Sequence, residues 1–102
     1  MIVYICSPYS GDIEVNIEKT KTYCRHAVRE GHVPVAPHLM FPQFLNEDKD
    51  RELALQMDLV LLERCDELWV FGETITSGMK AEIAYANNKN MRIRFFKQVR
   101  RI

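Results

Sequence analysis

Four short, mostly apolar segments that alternate with stretches of helical periodicity limit the fold of this chain more than any other feature. They cover residues 2–6, 32–36, 67–71 and 91–96. The first is an uninterrupted apolar run of strand length, a pattern typical of a strand buried on both faces of a parallel sheet. It ends at the turn-forming sequence Ser7-Pro8-Tyr9-Ser10-Gly11. We therefore predict four strands separated by helices.

Three helices are predicted between the strands. Asp12 is a plausible N-cap for a helix over residues 12–30, which Gly31 is well placed to end. A second helix is predicted over residues 48–64, and Ser77 is predicted to cap the third, whereas residues 38–46 are predicted to form a loop with one helical turn. The residues predicted to face the core are Ile13, Ile17, Cys24, Ala27 and Val28 in the first helix, Leu53, Met57, Val60 and Leu61 in the second, and Met79, Ile83 and Ala86 in the third.

The resulting order, βαβαβαβ, predicts an α/β fold. Alternating strands and helices form right-handed crossovers, which give a parallel sheet covered by helices on both faces. We predict one doubly wound, flavodoxin- or Rossmann-like sheet of four to five strands. A chain of 102 residues is long enough for one core and too short for two, so we expect residues 1–102 to form a single domain.

Charge and cysteine content narrow the class of protein. Lys plus Arg and Asp plus Glu both number 14, a balance that argues against nucleic acid or an anionic membrane as the main partner. Cys6, Cys24 and Cys65 are odd in number and widely spaced, which favours a reducing compartment over a disulfide scaffold. The first residues are typical of a strand and not of a signal peptide, so we expect a cytoplasmic protein.

The loops after the first three strands hold the most unusual residues of the chain, which are the candidates for ligand binding and catalysis. Residues 7–12, 37–38 and 72–78 should meet at one edge, because ligands of open α/β sheets bind beyond the carboxyl ends of the strands. Glu82 would follow within the first turns of the third helix, where it either faces this edge or faces solvent and favours the helix dipole. Asp58 interrupts an apolar stretch and faces either solvent or a cleft that raises its pKa.

Other residues leave two interpretations open. Tyr4 is either a core tyrosine or a hydrogen-bond donor in a site, and His38 either contacts a ligand or is structural. The cysteines and histidines lack the close paired spacing of a metal site, and Cys6 lacks a clear base partner for thiolate chemistry. A P-loop and a G-x-G-x-x-G motif are both missing, so we expect neither a metal nor another cofactor.

The segments described above resemble the nucleoside 2-deoxyribosyltransferase superfamily over nearly the whole chain, and the closest match is a compact branch of phages and bacteria. The resemblance is carried by residues 4–11, Pro37-His38, Asp58, residues 65–72, Ser77-Gly78-Met79 and Glu82-Ile83. The superfamily includes transferases that exchange the bases of deoxynucleosides and hydrolases that cleave the N-glycosidic bond of deoxynucleoside 5′-monophosphates.

The resemblance implies a role for each of these positions. Glu82 corresponds to the nucleophile that attacks C1′ of the sugar, Asp58 to the acid that assists the departing base, and Tyr4 to the tyrosine that orients the nucleophile. The residues implied to bind substrate are Ser7, Pro8, Tyr9, Ser10, Gly11, His38, Gly72, Thr76, Ser77, Gly78 and Met79.

Two positions depart from the superfamily pattern. The transferases have an acid six residues before the nucleophile, where this chain has Thr76, and the monophosphate hydrolases often have Arg where this chain has Ser10. Relatives complete the site with a neighbouring subunit, which implies a homodimer or larger homo-oligomer. The sequence therefore leaves open an N-glycosidase or transferase of nucleosides or their 5′-monophosphates, an inactive nucleotide-binding module, and a scaffold protein without a ligand.

Overall fold

A computed structural model of the chain describes residues 1–97. Its four strands are all parallel and stand in the order β2-β1-β3-β4. The strands are β1 (Ile2–Cys6), β2 (Val33–Val35), β3 (Glu67–Phe71) and β4 (Arg92–Phe96). The predicted α/β class with a parallel sheet is confirmed, and β1 and β3 are the two central strands.

The helices α1 (Ile13–Arg29), α2 (Arg51–Glu63) and α3 (Ser77–Asn88) connect the strands in the predicted order. Asp12 caps α1 as predicted, since its carboxylate accepts a hydrogen bond from the amide of Val15 at 3.2 Å. The cap of α3 is one residue earlier than predicted, because the hydroxyl of Thr76, not of Ser77, accepts from the amide of Met79 at 3.3 Å. Two short 3₁₀ turns, Pro37–Leu39 and Phe41–Gln43, occupy the segment predicted to contain one helical turn.

Strand alternation divides the core into two layers, one on each face of the sheet. Tyr4, Cys6, Leu68 and Val70 point to the face covered by α2 and α3, where buried Leu62, Cys65, Met79 and Ala86 pack against them. Val3, Ile5, Trp69 and Phe71 point to the opposite face and pack against Ala27 and its neighbours on α1. Helices therefore cover both faces, as the doubly wound prediction requires.

The predicted core faces of the helices were partly wrong. Val28 of α1 is 58% exposed, and Leu53 and Val60 of α2 are also exposed, whereas Asp58 and Leu62 are buried. Residues 53–62 are apolar at nearly every position, so helical periodicity does not single out one face there. The packing of α2 selects the side that carries Asp58.

No helix in the described part of the chain has the length and apolar character needed to cross a membrane. The sheet order reverses between β1 and β3, because the chain moves from β1 outward to β2 and then returns to the other side of β1. Open α/β sheets form a crevice beyond the carboxyl ends of the strands at such a reversal. The loops after β1, β2 and β3 all reach this position.

Candidate active site

A buried hydrogen bond joins the middle of β1 to the second turn of α3. The hydroxyl of Tyr4 donates to Oε2 of Glu82, and only 2% of Glu82 is exposed. Glu82 is brought inward because it shares one helix face with Met79 and Ala86, which pack on the sheet. The solvent-facing interpretation of Glu82 was therefore wrong.

Asp58 approaches the same place from α2. It is 8% exposed and has no hydrogen-bond partner among residues 1–97, yet it lines a cavity together with Glu82. Its position one turn before buried Leu62 keeps it on the inner side of the helix. The structure thus excludes the solvent-facing interpretation of Asp58 and brings two carboxyl groups into one cleft.

The cavity has a volume of about 410 Å³ and lies beyond the carboxyl ends of the central strands. Its size falls within the range of small-molecule sites. It is lined by Ser7, Tyr9 and Ser10 after β1, by Pro37, His38, Phe41, Pro42, Leu45, Asn46 and Glu47 after β2, by Arg51, Glu52, Ala54, Leu55 and Asp58 of α2, and by Thr76, Ser77, Gly78, Met79 and Glu82 at the start of α3.

Burial raises the pKa of both carboxyl groups, but their neighbours act on the two pKa values in opposite directions. Burial raises the pKa of Glu82 to about 7, and the hydrogen bonds from Tyr4 and from the Cys6 thiol act in the opposite direction. Burial also raises the pKa of Asp58 to about 7, and the charge of Glu82 raises it further. Because only Glu82 receives donors that favour its ionised form, the shared proton near neutral pH belongs on Asp58.

Tyr4 and Cys6 are arranged to act as donors. They lie two residues apart on β1 and therefore point to the same face of the sheet. Burial, and next the charge of Glu82, raise the pKa of the Tyr4 hydroxyl well above its ordinary value and that of the Cys6 thiol as well. Both groups consequently keep their protons, and neither can serve as an anionic nucleophile.

The loop after β1 is held in place by α1. The side-chain amide of Asn16 donates to the carbonyl oxygens of Tyr9 and Ser10, at 3.0 Å each. The buried hydroxyls of Ser7 and Thr20 lie 3.0 Å apart, and Thr20 donates to the carbonyl of Asn16 at 2.8 Å. These bonds fix one wall of the cavity.

His38 forms part of the opposite wall, where its ring lies 5.0 Å from that of Tyr9 between centroids. Burial lowers the pKa of His38 to about 4, so the ring is neutral at physiological pH. Its Nδ1 is buried and has no hydrogen-bond partner within residues 1–97. A neutral imidazole beside an aromatic ring suits contact with a planar, uncharged group.

Most residues predicted from the sequence meet at this cavity, and four do not. Pro8, Gly11 and Gly72 lie outside its lining. Gly11 and Gly72 have φ angles of +98° and +95°, so they serve the turns of their loops, and Pro8 packs beside Gly72. Tyr4 lies beneath the cavity and reaches it through Glu82.

The lining residues that follow His38 in the chain were not predicted from the sequence. Phe41 comes from the second 3₁₀ turn, Leu45 and Glu47 from the segment that follows it, and Arg51 and Glu52 from the start of α2. Between β2 and α2, the sequence signal is the presence of two prolines, Pro37 and Pro42, which indicate turns instead of a continuous helix. Among residues 1–97, no three His, Cys, Asp or Glu side chains are grouped so that they could hold a metal ion.

Comparison with known proteins agrees with the architecture. A family model described as a domain of unknown function (DUF7768) matches residues 1–96, while no curated protein matches the sequence. Eleven chains of solved structures match. One is a 2-deoxyribosyltransferase from the psychrotolerant bacterium Bacillus psychrosaccharolyticus, with a TM-score of 0.75, 15% identity, and coverage of 100% of this chain and 76% of that chain. At this identity the similarity shows a shared fold.

Proposed function

The chain belongs to the family described as a domain of unknown function (DUF7768), and from the site it folds we propose that it breaks the N-glycosidic bond of a 2-deoxynucleoside or its 5′-monophosphate. The observation that carries this proposal is the pairing of two buried carboxyl groups, Asp58 and Glu82, in one cavity with a tyrosine donor on Glu82. The fold shared with a 2-deoxyribosyltransferase supports the same class of chemistry.

The first step uses Glu82 as the nucleophile. Its carboxylate oxygen forms a bond to C1′ while the C1′–N bond breaks, and the electron pair of that bond leaves with the base. Positive charge develops at C1′ during this step, and an adjacent carboxylate stabilises it. Tyr4 keeps the carboxylate oriented and ionised.

Asp58 acts as the general acid in the same step. A base departs more easily when it receives a proton, and a carboxyl group with a pKa of about 7 holds one near neutral pH and releases it readily. Water, or a second base, then attacks C1′ and displaces Glu82, and Asp58 takes up the proton that this attacking group releases. Charge and atoms balance over the two steps.

The experiment that tests this function is a base-release assay. Purified protein is incubated with 2-deoxynucleosides and their 5′-monophosphates, with and without a second base, and free or exchanged base is separated by chromatography. We expect base release that falls at least about 10³-fold in Glu82→Gln, because the amide cannot act as a nucleophile. Tight binding without release in the wild-type protein would instead favour a nucleotide-binding module.

A further inference from the structure

The cavity is rich in carboxyl groups and poor in cations. Among residues 1–97, its lining contains four acids, Glu47, Glu52, Asp58 and Glu82, and a single Arg or Lys, Arg51. His38 adds no charge, because burial lowers its pKa to about 4. The other polar lining groups are neutral hydroxyls and one amide, which accept and donate hydrogen bonds without preferring an anion.

The cavity is small enough for all of these charges to act on one ligand. A volume of about 410 Å³ corresponds to a sphere roughly 9 Å across, which is less than the Debye length of about 10 Å at 0.1 M salt. A dianionic phosphate anywhere within it therefore experiences the surrounding carboxylates. Among the described residues, Arg51 is the one Arg or Lys in the lining that can compensate for them.

Glu47 is the acid of the lining whose charge acts on the loop after β1. Glu47 and Tyr9 both line the cavity, and burial, followed by the charge of Glu47, raises the pKa of the Tyr9 hydroxyl. Tyr9 and Ser10 line the cavity from the loop after β1. A carboxylate here accepts a hydrogen bond from a sugar hydroxyl, whereas a phosphate dianion offers only acceptor oxygens.

Two features of the cavity favour binding of a phosphate group. Arg51 lines the cavity, and the N-terminus of α3 supplies positive potential beside Ser77 and Gly78. However, the amide of Met79 at that terminus already donates to Thr76. Asp58 holds its proton near neutral pH, which leaves three carboxylates, Glu47, Glu52 and Glu82, against one cation. The two features therefore do not make the lining suited to a dianion.

We propose that this cavity takes an uncharged nucleoside and disfavours its 5′-monophosphate, with Glu47 as the residue that sets the preference. This inference rests on the proposed function and narrows its substrate class. It assigns to the segment after β2 a selective role at the mouth of the site. The chemistry at C1′ is the same for both substrates, so the preference arises from binding of the 5′ group.

The test compares kcat/KM for 2-deoxynucleosides with that for their 5′-monophosphates. We expect the wild-type protein to favour nucleosides by about tenfold or more, and Glu47→Lys to lower that ratio by at least about fivefold, because one nearby charge is reversed. The ratio should also fall as salt increases, since Glu47 and Glu52 are exposed and therefore screened. Glu18→Lys is the matched control, because Glu18 is exposed on α1 outside the cavity and changes the net charge equally.

Two results would overturn the inference: a wild-type preference for monophosphates, or an unchanged ratio in Glu47→Lys. A calorimetric titration of Glu82→Gln with both ligands gives a second readout, in which the nucleoside should bind more tightly. If neither substrate releases base, the proposed function fails, and the titration then decides the binding preference by itself.

Discussion

Tyr4 and Glu82 are 78 residues apart in the chain and share a buried hydrogen bond, which ties the central strand β1 to helix α3. The bond fixes the carboxylate at the floor of the cavity and favours its ionised form. It also gives a physical reason for a polar hydroxyl within an otherwise apolar strand. A buried hydroxyl without a partner would destabilise the fold by about 1–3 kcal/mol.

Removal of this hydroxyl tests its role. In Tyr4→Phe we expect kcat to fall about 10- to 100-fold, because Glu82 loses its orienting donor. The pKa of Glu82 should rise, since the bond from Tyr4 lowers it, and the acid limb of the pH–rate profile should move to higher pH. Tyr85→Phe is the control, because Tyr85 lies on the same helix outside the cavity lining. An unchanged pH profile in Tyr4→Phe would contradict the positioning role.

The loss of activity on replacing Asp58 should be larger for a leaving base that must be protonated than for one that already carries a positive charge. In Asp58→Asn we expect base release to fall about 10²- to 10⁴-fold for an ordinary nucleoside, because the amide is not an acid. A nucleoside whose base already carries a positive charge, such as one methylated at purine N7, should be affected much less. Equal losses with both substrates, measured as kcat/KM, would show that Asp58 is not the general acid.

The same substitution should alter the pH dependence of stability. Burial raises the pKa of Asp58 in the folded protein to about 7, above its ordinary value of 3.8. The folded state therefore favours the protonated form, and stability that is fully present below about pH 4 is lost as the pH rises through 7. Asn does not ionise, so Asp58→Asn should gain roughly 2–4 kcal/mol over wild type at pH 8 and much less at pH 4.

Urea unfolding at several pH values measures this difference. Asp48→Asn is the matched control, because Asp48 is exposed before the start of α2, and we expect its unfolding free energy to follow that of wild type. A constant gap between Asp58→Asn and wild type from pH 4 to pH 8 would contradict the assigned shift.

Apolar residues on the outer side of α2 bear on the expected homo-oligomer. Val60 is 59% exposed, and Leu53 lies two turns earlier on the same helix and is also exposed. We predict a dimer or larger assembly by light scattering, with Val60→Lys shifting the protein toward monomer because the charge would have to be buried. Val28→Lys, at an exposed valine on α1, should leave the mass unchanged. A wild-type monomer at high concentration would contradict the prediction.

Much of the fold could be predicted because the strands differ clearly from their surroundings. Residues 67–71 are apolar except for Glu67 and are followed by Gly72, and the bounds of β1 and β3 were predicted correctly. The faces of α2 could not be predicted, because an apolar stretch with one acid looks the same whether that acid is exposed or points into a cleft. Only packing against α3 and the sheet distinguishes the two cases.

The site residues that could be predicted are those whose place follows from the order of the strands. Ser7 comes directly after β1, and Thr76 and Glu82 lie in the loop and the helix that follow β3, so topology places them at one edge. Glu47 and Arg51 reach the cavity through two successive 3₁₀ turns, which have no regular spacing that a sequence pattern can reveal. The pairing of Tyr4 with Glu82 was implied only by the family resemblance, because the hydrogen bond depends on the separation between β1 and α3 and not on local sequence.

The most direct test of the account is a search for sugar covalently attached to Glu82. Wild-type protein is mixed with the nucleoside that releases base fastest, quenched in acid within its first turnovers, digested and analysed by mass spectrometry. We predict that the peptide containing Glu82 carries one deoxyribosyl group as an ester, that Asp58→Asn still forms it from a substrate with a cationic base, and that Glu82→Gln does not. Base release without any such adduct, or with full activity in Glu82→Gln, would contradict the central claim.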